Sequence, residues 1–276
     1  MSLFDAFRYD GKRVLVVGGA TGMGAATARL AADAGAEVVA MDFAQIDLPG
    51  AKAIRVDLAE KDTIDAALDE CGGPVHALFA CAGVATGTPG LERINFVGHR
   101  YLIDQALARG FLGRGAAIGF ISSAAGLGWE ANFETIKEVL AISDFDEAAK
   151  WFVDNGKADY MSTKQVICAY VASQAFPFLK QGIRINAICP GPTDTPLAQA
   201  NKETWLGFGT DFRGEAGIEP STPLEQAYPL VFLCSDAAAA INGEILISDV
   251  GYMSSGITGS FPAATPIANL LLNRPG

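Results

Sequence analysis

The chain has 276 residues, half of them hydrophobic, and it carries a formal net charge of −11 at pH 7. This length fits one large domain or two small ones, and the acidity disfavours nucleic acid as a partner, because binding phosphate requires a basic face. Two histidines and five scattered cysteines, without a Cys-x-x-Cys pair, predict no metal site and a reduced compartment.

Residues 1–8 contain no basic region followed by an apolar run, and no uncharged apolar stretch reaches about 18 residues with helical character. We therefore expect no signal peptide and no membrane-spanning segment. These features predict a cytoplasmic protein for which a membrane is not a partner.

Short apolar runs alternate with helical patterns along the whole chain. Strands are predicted at residues 14–17, 38–41, 53–56, 77–80, 117–121, 183–188 and 244–247. Helices are predicted at residues 25–34, 64–71, 94–108 and 160–179. Because strands and helices alternate, the pattern predicts an α/β fold with a doubly wound parallel sheet of about seven strands. No proline-rich linker divides the chain, so residues 1–276 are predicted to form a single domain.

A glycine-rich turn follows the first predicted strand. Gly18 allows the sharp exit from that strand, while Gly22 and Gly24 let the backbone approach a pyrophosphate and the helix approach the sheet. The N-terminus of the following helix favours the negative charge of a phosphate. The spacing differs from the Gly-x-Gly-x-x-Gly fingerprint, and the alternative is a plain turn between a strand and a helix.

Two carboxylates follow the second and third predicted strands. Asp42 can accept hydrogen bonds from the adenosine ribose and would repel a 2′-phosphate, which favours NAD over NADP. No Arg or Lys lies between Gly18 and Gly24 or directly after Asp42, so the sequence offers no ligand for a 2′-phosphate. Asp42 could instead cap the strand end. Asp57 either holds the adenine amino group or is the N-cap of a helix.

Tyr160 and Lys164 are separated by one helical turn, so their side chains share a face of the predicted helix. An ammonium beside a phenol favours the phenolate and lowers the pKa of the phenol from its usual ~10. Such a tyrosine can donate and accept a proton near neutral pH. The alternative is that the pair belongs to a solvated helix face.

In chain order, these motifs resemble the short-chain dehydrogenase/reductase family over almost the whole chain. The residues that carry the resemblance are Gly18-x-x-x-Gly22-x-Gly24, Asp57, Ala80-Cys81-Ala82-Gly83, Asn95, Ser122-Ser123, Tyr160-x-x-x-Lys164 and Pro190-Gly191. The resemblance implies a Rossmann-like fold and a nicotinamide cofactor, for which Asp42 indicates NAD. The catalytic tetrad that it implies is Asn95, Ser123, Tyr160 and Lys164.

Within that tetrad, Tyr160 is expected to exchange the substrate proton, while Lys164 lowers its pKa and can bind the nicotinamide ribose. Ser123 hydrogen-bonds the carbonyl oxygen where charge develops, and Asn95 can hold a water that passes the proton to solvent. Ser123 is preferred to Ser122 because neighbours at a strand end face opposite ways. Ser122 is expected to form a hydrogen bond to the backbone.

The motifs and the resemblance together predict the residues that contact the cofactor. These are Gly18, Thr21, Gly22, Met23, Gly24, Asp42, Asp57, Leu58, Cys81, Ala82, Gly83, Tyr160, Lys164, Pro190, Gly191, Thr193 and Thr195. Among them, Pro190, Gly191 and the backbone at Thr193 are expected to seat the nicotinamide. Thr195 is expected near its amide or a phosphate.

The chain departs from the family pattern in two places. Where the family usually has Asn-Asn-Ala-Gly after the fourth strand, this chain has Ala80-Cys81-Ala82-Gly83. The interval between Ser123 and Tyr160 is also longer than usual, so residues 128–154 form an insertion, with at least one amphipathic helix predicted. The insertion resembles a subgroup that includes bacterial 3α-hydroxysteroid dehydrogenase/carbonyl reductase and NAD-dependent coniferyl-alcohol dehydrogenases.

The insertion carries Trp129, Phe133 and Trp151, whose apolar surface requires burial. It either covers the substrate cleft as a lid or packs on the outer face of the helix that begins at Tyr160. We favour the second arrangement, with partial coverage of the cleft by the Trp129 end. Residues 257–276 contain three prolines and are predicted to form a tail on the surface or on a neighbouring subunit.

The predicted function is that of an NAD-dependent oxidoreductase, which transfers hydride between a bulky apolar alcohol and its ketone or aldehyde. Its small-molecule substrate is a steroid or alicyclic alcohol, or an aryl allylic alcohol. A homodimer or homotetramer is expected. The alternative is a non-catalytic NAD-sensing regulator that retained the fold, although a sensor has no need of Tyr160 with Lys164.

Overall fold

A computed structural model describes residues 4–272. Its seven strands form one parallel sheet in the order β3-β2-β1-β4-β5-β6-β7. They are β1 (Arg13–Val17), β2 (Glu37–Asp42), β3 (Lys52–Arg55), β4 (Val75–Ala80), β5 (Leu112–Ile121), β6 (Arg184–Pro190) and β7 (Ile245–Ser248). The prediction of a Rossmann-like α/β sheet of about seven strands is confirmed.

Helices cover both faces of this sheet. They are α1 (Gly22–Asp33), α2 (Lys61–Cys71), α3 (Gly98–Ala108), α4 (Phe133–Ala141), α5 (Phe145–Asp154), α6 (Tyr160–Lys180), α7 (Pro196–Ala200), α8 (Lys202–Trp205), α9 (Thr210–Ala216), α10 (Pro223–Cys234), α11 (Tyr252–Thr258) and α12 (Thr265–Leu271). Among residues 4–272, no helix has both the length and the apolar character needed to cross a membrane.

The alternation of side chains along the strands separates two cores. Leu15 and Val17 of β1 belong to the core beneath α2 to α6, whereas Val14 and Val16 belong to the core beneath α1 and α10. Successive residues of a strand face opposite sides, so continuous apolar runs bury both faces of the sheet. The apolar runs that predict the strands therefore provide apolar side chains for packing against a helical layer on each face of the sheet.

The order of the strands determines where the predicted cofactor site lies. β1 lies between β2 and β4, so the strand order reverses at β1 and a crevice opens beyond the carboxyl ends of β1 and β4. The glycine turn follows β1 at Gly18, and Cys81 follows β4. The two motifs therefore face each other across this crevice.

Several boundaries differ from those predicted. β3 ends at Arg55 rather than residue 56, and α1 begins at the glycine turn itself. β5 begins early because Leu112 pairs with Val75 before the register shifts. The helix predicted at 94–108 is divided into a π-helical turn, Arg93–Val97, and α3.

The insertion forms two helices, α4 and α5, that pack against α3, α6 and the π-helical turn. Phe152 is fully buried, with its ring centre 6.2 Å from that of Phe96, and Phe145 packs edge-on to Tyr101 at 5.6 Å. α4 thus packs on the Tyr160 helix as predicted, whereas α5 packs on the π-helical turn and α3. Trp129 reaches further, into a third apolar cluster beneath α11 and α12.

The C-terminal segment corrects the prediction of a tail on the surface or on a partner. Residues up to 272 contain α11 and α12, and Ala264 and Ala268 between and within these elements are fully buried in this chain's own third cluster. A Cβ on Gly256 would lie 2.7 Å from the Cβ of Ala268, so the two helices approach closely there. The rest of the predicted tail, 273–276, lies outside the described residues.

Candidate active site

A cleft of about 430 Å³ opens at the carboxyl ends of β1, β2 and β4. Most of the predicted cofactor residues line it, namely Gly18, Thr21, Gly22, Met23, Gly24, Asp42, Asp57, Leu58, Cys81, Ala82, Gly83 and Thr195. The other predicted contacts, Tyr160, Lys164, Pro190, Gly191 and Thr193, are not part of its lining. The topology therefore gathers residues from five separate turns along a single groove.

The glycine turn is closely packed against its surroundings. A Cβ on Gly18, whose φ is +91°, would lie 2.4 Å from the backbone nitrogen of Ala82. A Cβ on Gly24 would lie only 1.9 Å from the carbonyl oxygen of Gly18. Thr21 is the N-cap of α1 and makes no side-chain cap hydrogen bond, so the first N–H groups of α1 remain available to an anion. This cradle fits a pyrophosphate.

The two acidic residues of the cleft are held by backbone N–H groups. The Asp42 carboxylate accepts hydrogen bonds from the N–H groups of Ala20 and Ala44, each at 2.9 Å, which joins the end of β2 to the glycine turn. Asp57 accepts from the N–H of Ala59 at 2.9 Å. The N-cap of α2 is Glu60, so the alternative of Asp57 as a helix N-cap is wrong.

Asn95 lies in the π-helical turn and is fully buried. Its Oδ1 accepts from the Val84 N–H at 2.7 Å, and its Nδ2 donates to the Val84 carbonyl at 3.1 Å and to Thr163 Oγ1 at 3.2 Å. Such turns arise where an extra residue enters a helix, frequently at functional sites. The turn directs Asn95 toward the loop after β4.

Lys164 approaches the same point from α6. Its Nζ donates to the carbonyl of Ile121 at 2.9 Å. A Cβ on Gly83 would lie 3.4 Å from Lys164 Nζ and 3.5 Å from Asn95 Oδ1. The ammonium and the amide therefore converge over Gly83, at the inner end of the cleft, where a larger residue would fill the space between them.

The two serines after β5 face opposite ways, as predicted. Ser122 is buried and its Oγ donates to the backbone carbonyl of Lys164 at 2.9 Å, which confirms its expected backbone hydrogen bond. Ser123 Oγ accepts from the N–H of Ala125 at 3.2 Å, and its hydroxyl interacts with the phenol of Tyr160. Ser123 is thus the serine beside the tyrosine.

Burial dominates the electrostatics of Tyr160. It raises the pKa of the phenol to about 12, against a smaller opposing effect of the Ser123 hydroxyl. Burial also lowers the pKa of the Lys164 ammonium to about 8. The prediction that Lys164 lowers the pKa of Tyr160 is wrong for this structure. The Lys164 Nζ lies 5.4 Å from the centre of the Tyr160 ring and donates to a backbone carbonyl instead.

The nicotinamide end of the predicted site follows β6. Pro190 pairs in register with Ser248 of β7, and a Cβ on Gly191 would lie 3.0 Å from Asp249. Thr193 Oγ1 donates to the carbonyl of Gly191 at 3.0 Å, which fixes the turn. These contacts hold the turn after β6 against the end of β7.

Thr195 has two roles that the structure makes visible. Its Oγ1 accepts from the Ala198 N–H at 3.0 Å and so caps α7. It also faces the glycine turn, because a Cβ on Gly22 would lie 3.4 Å from Thr195 Cγ2. The segment after β6 therefore closes the outer side of the cleft.

Sequence reasoning missed several residues that shape this site. Trp205 of α8 packs on the ring of Tyr160, with 4.7 Å between the ring centres. Thr86 Oγ1 accepts the N–H of Tyr160 at 3.0 Å, and His99 Nε2 lies 3.0 Å from the carbonyl of Ala82. No spacing in the sequence relates Thr86 or Trp205 to the tetrad, because they belong to separate segments. His99 follows Asn95 by four residues, a helical spacing that could have indicated it.

The described residues contain no group of three or more His, Cys, Asp or Glu side chains arranged to hold a metal ion. The cysteines are free thiols, and four of them are buried. Cys81, which replaces an asparagine of the family pattern, lines the cleft beneath the glycine turn.

The family model described as enoyl-(acyl carrier protein) reductase matches residues 18–253, from the glycine turn into α11. The coniferyl-alcohol dehydrogenase of Pseudomonas sp. (strain HR199 / DSM 7063) is 29% identical over 252 residues, covering 88% of this chain and 97% of that protein. The cis-4-hydroxycyclohexanecarboxylate dehydrogenase of Sinomonas cyclohexanicum is 32% identical over 260 residues, covering 87% and 96%.

A solved structure shows the same fold. The 3-alpha-hydroxysteroid dehydrogenase from Pseudomonas sp. B-0831, complexed with NADH, has a TM-score of 0.70 and 28% identity and covers 90% of this chain and 99% of its own. The resemblance read from the motifs is confirmed, including the subgroup suggested by the insertion. The chain belongs to the short-chain dehydrogenase/reductase family and is an oxidoreductase of that family.

Proposed function

We propose that this enzyme catalyses the reversible NAD-dependent oxidation of a bulky, apolar secondary or allylic alcohol. The observation that carries the proposal is the convergence of Ser123, Tyr160 and Lys164 beside the inner end of a cleft that begins at the glycine turn. One end of the groove fits a dinucleotide, and the other presents a phenol and a hydroxyl to a substrate oxygen.

The cofactor assignment rests on the residues that line the cleft. The first turn of α1 offers N–H groups to the pyrophosphate, and Asp42 offers a carboxylate to the adenosine ribose. A carboxylate at that position opposes a 2′-phosphate, which supports NAD over NADP. The related 3-alpha-hydroxysteroid dehydrogenase was solved with NADH. When bound, the nicotinamide supplies or accepts the hydride.

The chain's own residues handle the proton. With a pKa of about 12, Tyr160 is protonated near neutral pH and can donate its proton to a substrate carbonyl oxygen, while Ser123 holds that oxygen by a hydrogen bond. Oxidation of the alcohol needs the phenolate instead, so its rate is expected to rise with pH. Below about pH 8 Lys164 is an ammonium, which can donate a hydrogen bond to the nicotinamide ribose.

The substrate class is inferred from the apolar walls and from the relatives. Trp205 covers Tyr160. A separate aromatic group of Phe208, Phe212 and Tyr252 lines a small pocket together with Gly191. The relatives are named for coniferyl alcohol and for a hydroxycyclohexanecarboxylate. An aryl allylic alcohol and a steroid or alicyclic alcohol both suit walls of this kind.

A homodimer or homotetramer in the cytoplasm stays part of the proposal. The C-terminal half of α6 exposes Phe176 and Leu179, and α10 exposes Tyr228 at 53%. Apolar side chains of this size are commonly covered in assemblies. Sedimentation of the purified protein measures the assembly directly.

The test of the function is a panel of coniferyl alcohol, cyclohexanol and a 3α-hydroxysteroid, each followed by NADH fluorescence. Tyr160→Phe is expected to lower turnover by about 10²–10⁴-fold, the usual contribution of a general acid or base, with NADH affinity nearly unchanged. Tyr101→Phe is the matched control, because its hydroxyl donates to Asp65 away from the cleft.

Substantial turnover in Tyr160→Phe would show that the acid is misassigned. NADH binding without turnover of any panel alcohol by the unmodified enzyme would favour the alternative of an NAD-sensing regulator. That reading gains nothing from an intact Ser123, Tyr160 and Lys164, which is why we rank it second.

A further inference from the structure

The pairing of β2 with β3 places an arginine beside the last residue of β2, which lines the cleft. Asp42, the last residue of β2, is the register partner of Arg55, the last residue of β3. Paired residues of neighbouring strands lie about 5 Å apart. A loop and the first residues of β3 separate Asp42 from Arg55 in the sequence, so their proximity is not evident from the sequence alone.

Arg55 is oriented by the residue that follows Asp42. Phe43 lines the cleft and is 62% exposed, a high value for a phenylalanine. The guanidinium carbon of Arg55 lies 4.9 Å from the centre of the Phe43 ring, within the range of a cation–π contact. The guanidinium is thus held against a ring that lines the cleft.

The guanidinium has unused hydrogen-bonding capacity. Within residues 4–272, Arg55 has no carboxylate at ion-pairing distance, and its side chain donates no hydrogen bond. An arginine presents five N–H donors in a fork that matches a phosphate. By contrast, the Asp42 carboxylate is held in place by two backbone N–H groups.

We propose that Arg55, supported by Phe43 beside Asp42, is a second residue that determines cofactor selectivity. It is a cation available to the 2′-phosphate of NADP, and the fixed charge of Asp42 keeps NADP from using it. The carboxylate of Asp42 repels a 2′-phosphate and the guanidinium of Arg55 attracts it, so the two residues have opposite effects on the binding of NADP. This inference rests on the proposed binding of the adenosine end between Asp42 and the glycine turn.

The test is a double-mutant cycle read by binding rather than by turnover. Dissociation constants for NADH and NADPH are measured by fluorescence titration for the unmodified protein, Asp42→Ala, Arg55→Ala and the double variant. We expect Asp42→Ala to tighten NADPH binding by at least about tenfold, and the added Arg55→Ala to reverse most of that gain. Arg55→Ala alone should change NADH binding by less than about twofold.

Fragments of the two cofactors test the contact between Arg55 and the 2′-phosphate by itself. Displacement of NADH by 2′,5′-ADP, which carries the 2′-phosphate, is compared with displacement by 5′-AMP, which lacks it. In Asp42→Ala, the advantage of 2′,5′-ADP should fall as salt rises, because an exposed arginine–phosphate contact is screened. Arg55→Lys should keep part of the advantage, since it keeps the charge without the planar fork.

Lys180→Ala is the control for a general charge effect, because its ammonium also lies over a phenylalanine, 5.4 Å from the Phe176 ring, at the far end of α6. It should leave both cofactors unaffected. If Asp42→Ala and the double variant bind NADPH equally well, Arg55 has no such role while the proposed function stands. Failure of the unmodified protein to bind either dinucleotide would overturn both.

Discussion

The cofactor half of the protein, residues 13–108, and the substrate half, residues 112–272, build their surfaces in different ways. In the cofactor half the cleft is made by backbone. A Cβ on Gly18 or Gly24 would overlap a neighbouring backbone atom, and the carboxylate of Asp42 is fixed by backbone N–H groups. In the substrate half the walls are side chains, such as Trp205 on Tyr160.

This difference determines how much of each half can be recognised in the sequence. A site built by backbone needs small residues at fixed positions, so its requirements appear as spacing in the sequence. A site built by packed side chains accepts many combinations of similar volume. The insertion is of the second kind, because α4 and α5 contribute buried apolar side chains to the core that also contains residues of α2, α3 and α6.

The largest expected effect comes from removing a buried ring of the insertion, in the substrate half. Phe152→Ala should lower the free energy of unfolding by about 3–5 kcal/mol, the usual cost of deleting a buried ring, because Phe152 is fully buried against Phe96. Urea unfolding measures this loss. Val153→Ala, at a site 60% exposed on the same helix, should cost almost nothing, and both variants should bind NADH normally. A tenfold loss of NADH affinity in Phe152→Ala would contradict the separation of the two halves.

Acid is expected to weaken the cofactor half through His99. Burial lowers the pKa of its imidazole from 6.5 to about 4, so the unfolded chain takes up the proton first as the pH falls. The contribution of the neutral His99 imidazole to the free energy of unfolding is therefore complete above pH 6.5 and is lost progressively toward pH 4. Between pH 7.5 and 5 this should remove about 2 kcal/mol of the free energy of unfolding.

The measurement is urea unfolding at both pH values for the unmodified protein and for His99→Gln. The glutamine keeps a donor for the Ala82 carbonyl, which His99 Nε2 contacts at 3.0 Å, but it does not titrate. The variant should therefore lose less stability in acid. Equal losses in the two proteins would assign the acid sensitivity to other groups.

A smaller effect should come from Gly24→Ala, which tests the backbone-built cleft. Its Cβ would lie 1.9 Å from the Gly18 carbonyl oxygen, so the turn must move, and overpacking of this kind costs about 1–3 kcal/mol. We expect NADH affinity to fall at least about tenfold. Gly113→Ala, where an added Cβ meets no atom within 4 Å, should leave the affinity unchanged. Equal NADH affinity in the two variants would mean that the turn does not hold the pyrophosphate.

The smallest expected effect concerns the aromatic cover of Tyr160. Trp205→Ala should raise the Michaelis constant for the best bulky alcohol of the panel by about fivefold, roughly 1 kcal/mol of contact, with NADH affinity preserved. Trp205→Phe should recover part of the loss, because it restores a ring over Tyr160. A fivefold change that also appears for a small alcohol would point to a displaced Tyr160 rather than a lost substrate contact.

Much of the fold could be read from the sequence because its signals are local. Continuous apolar runs such as Val14–Val17 required a strand buried on both faces, and the alternation with helices required a parallel sheet. The glycine spacing from Gly18 to Gly24 predicted the cofactor end of the site. The interval of four residues between Tyr160 and Lys164 predicted its catalytic end. The assignment of Ser122 to a backbone contact also held, because side chains alternate along a strand.

The tertiary structure alone decided the remaining features, since they depend on contacts between distant segments. The pKa of Tyr160 is set by burial, which no neighbouring residue in the sequence reports. Trp205 reaches Tyr160 from α8, and Arg55 is a neighbour of Asp42 only because β3 pairs with β2. The predicted tail became α11 and α12 because Ala264 and Ala268 found a buried surface formed by other elements. Spacing encodes what the local backbone must do, whereas packing between elements determines burial, and burial determines charge.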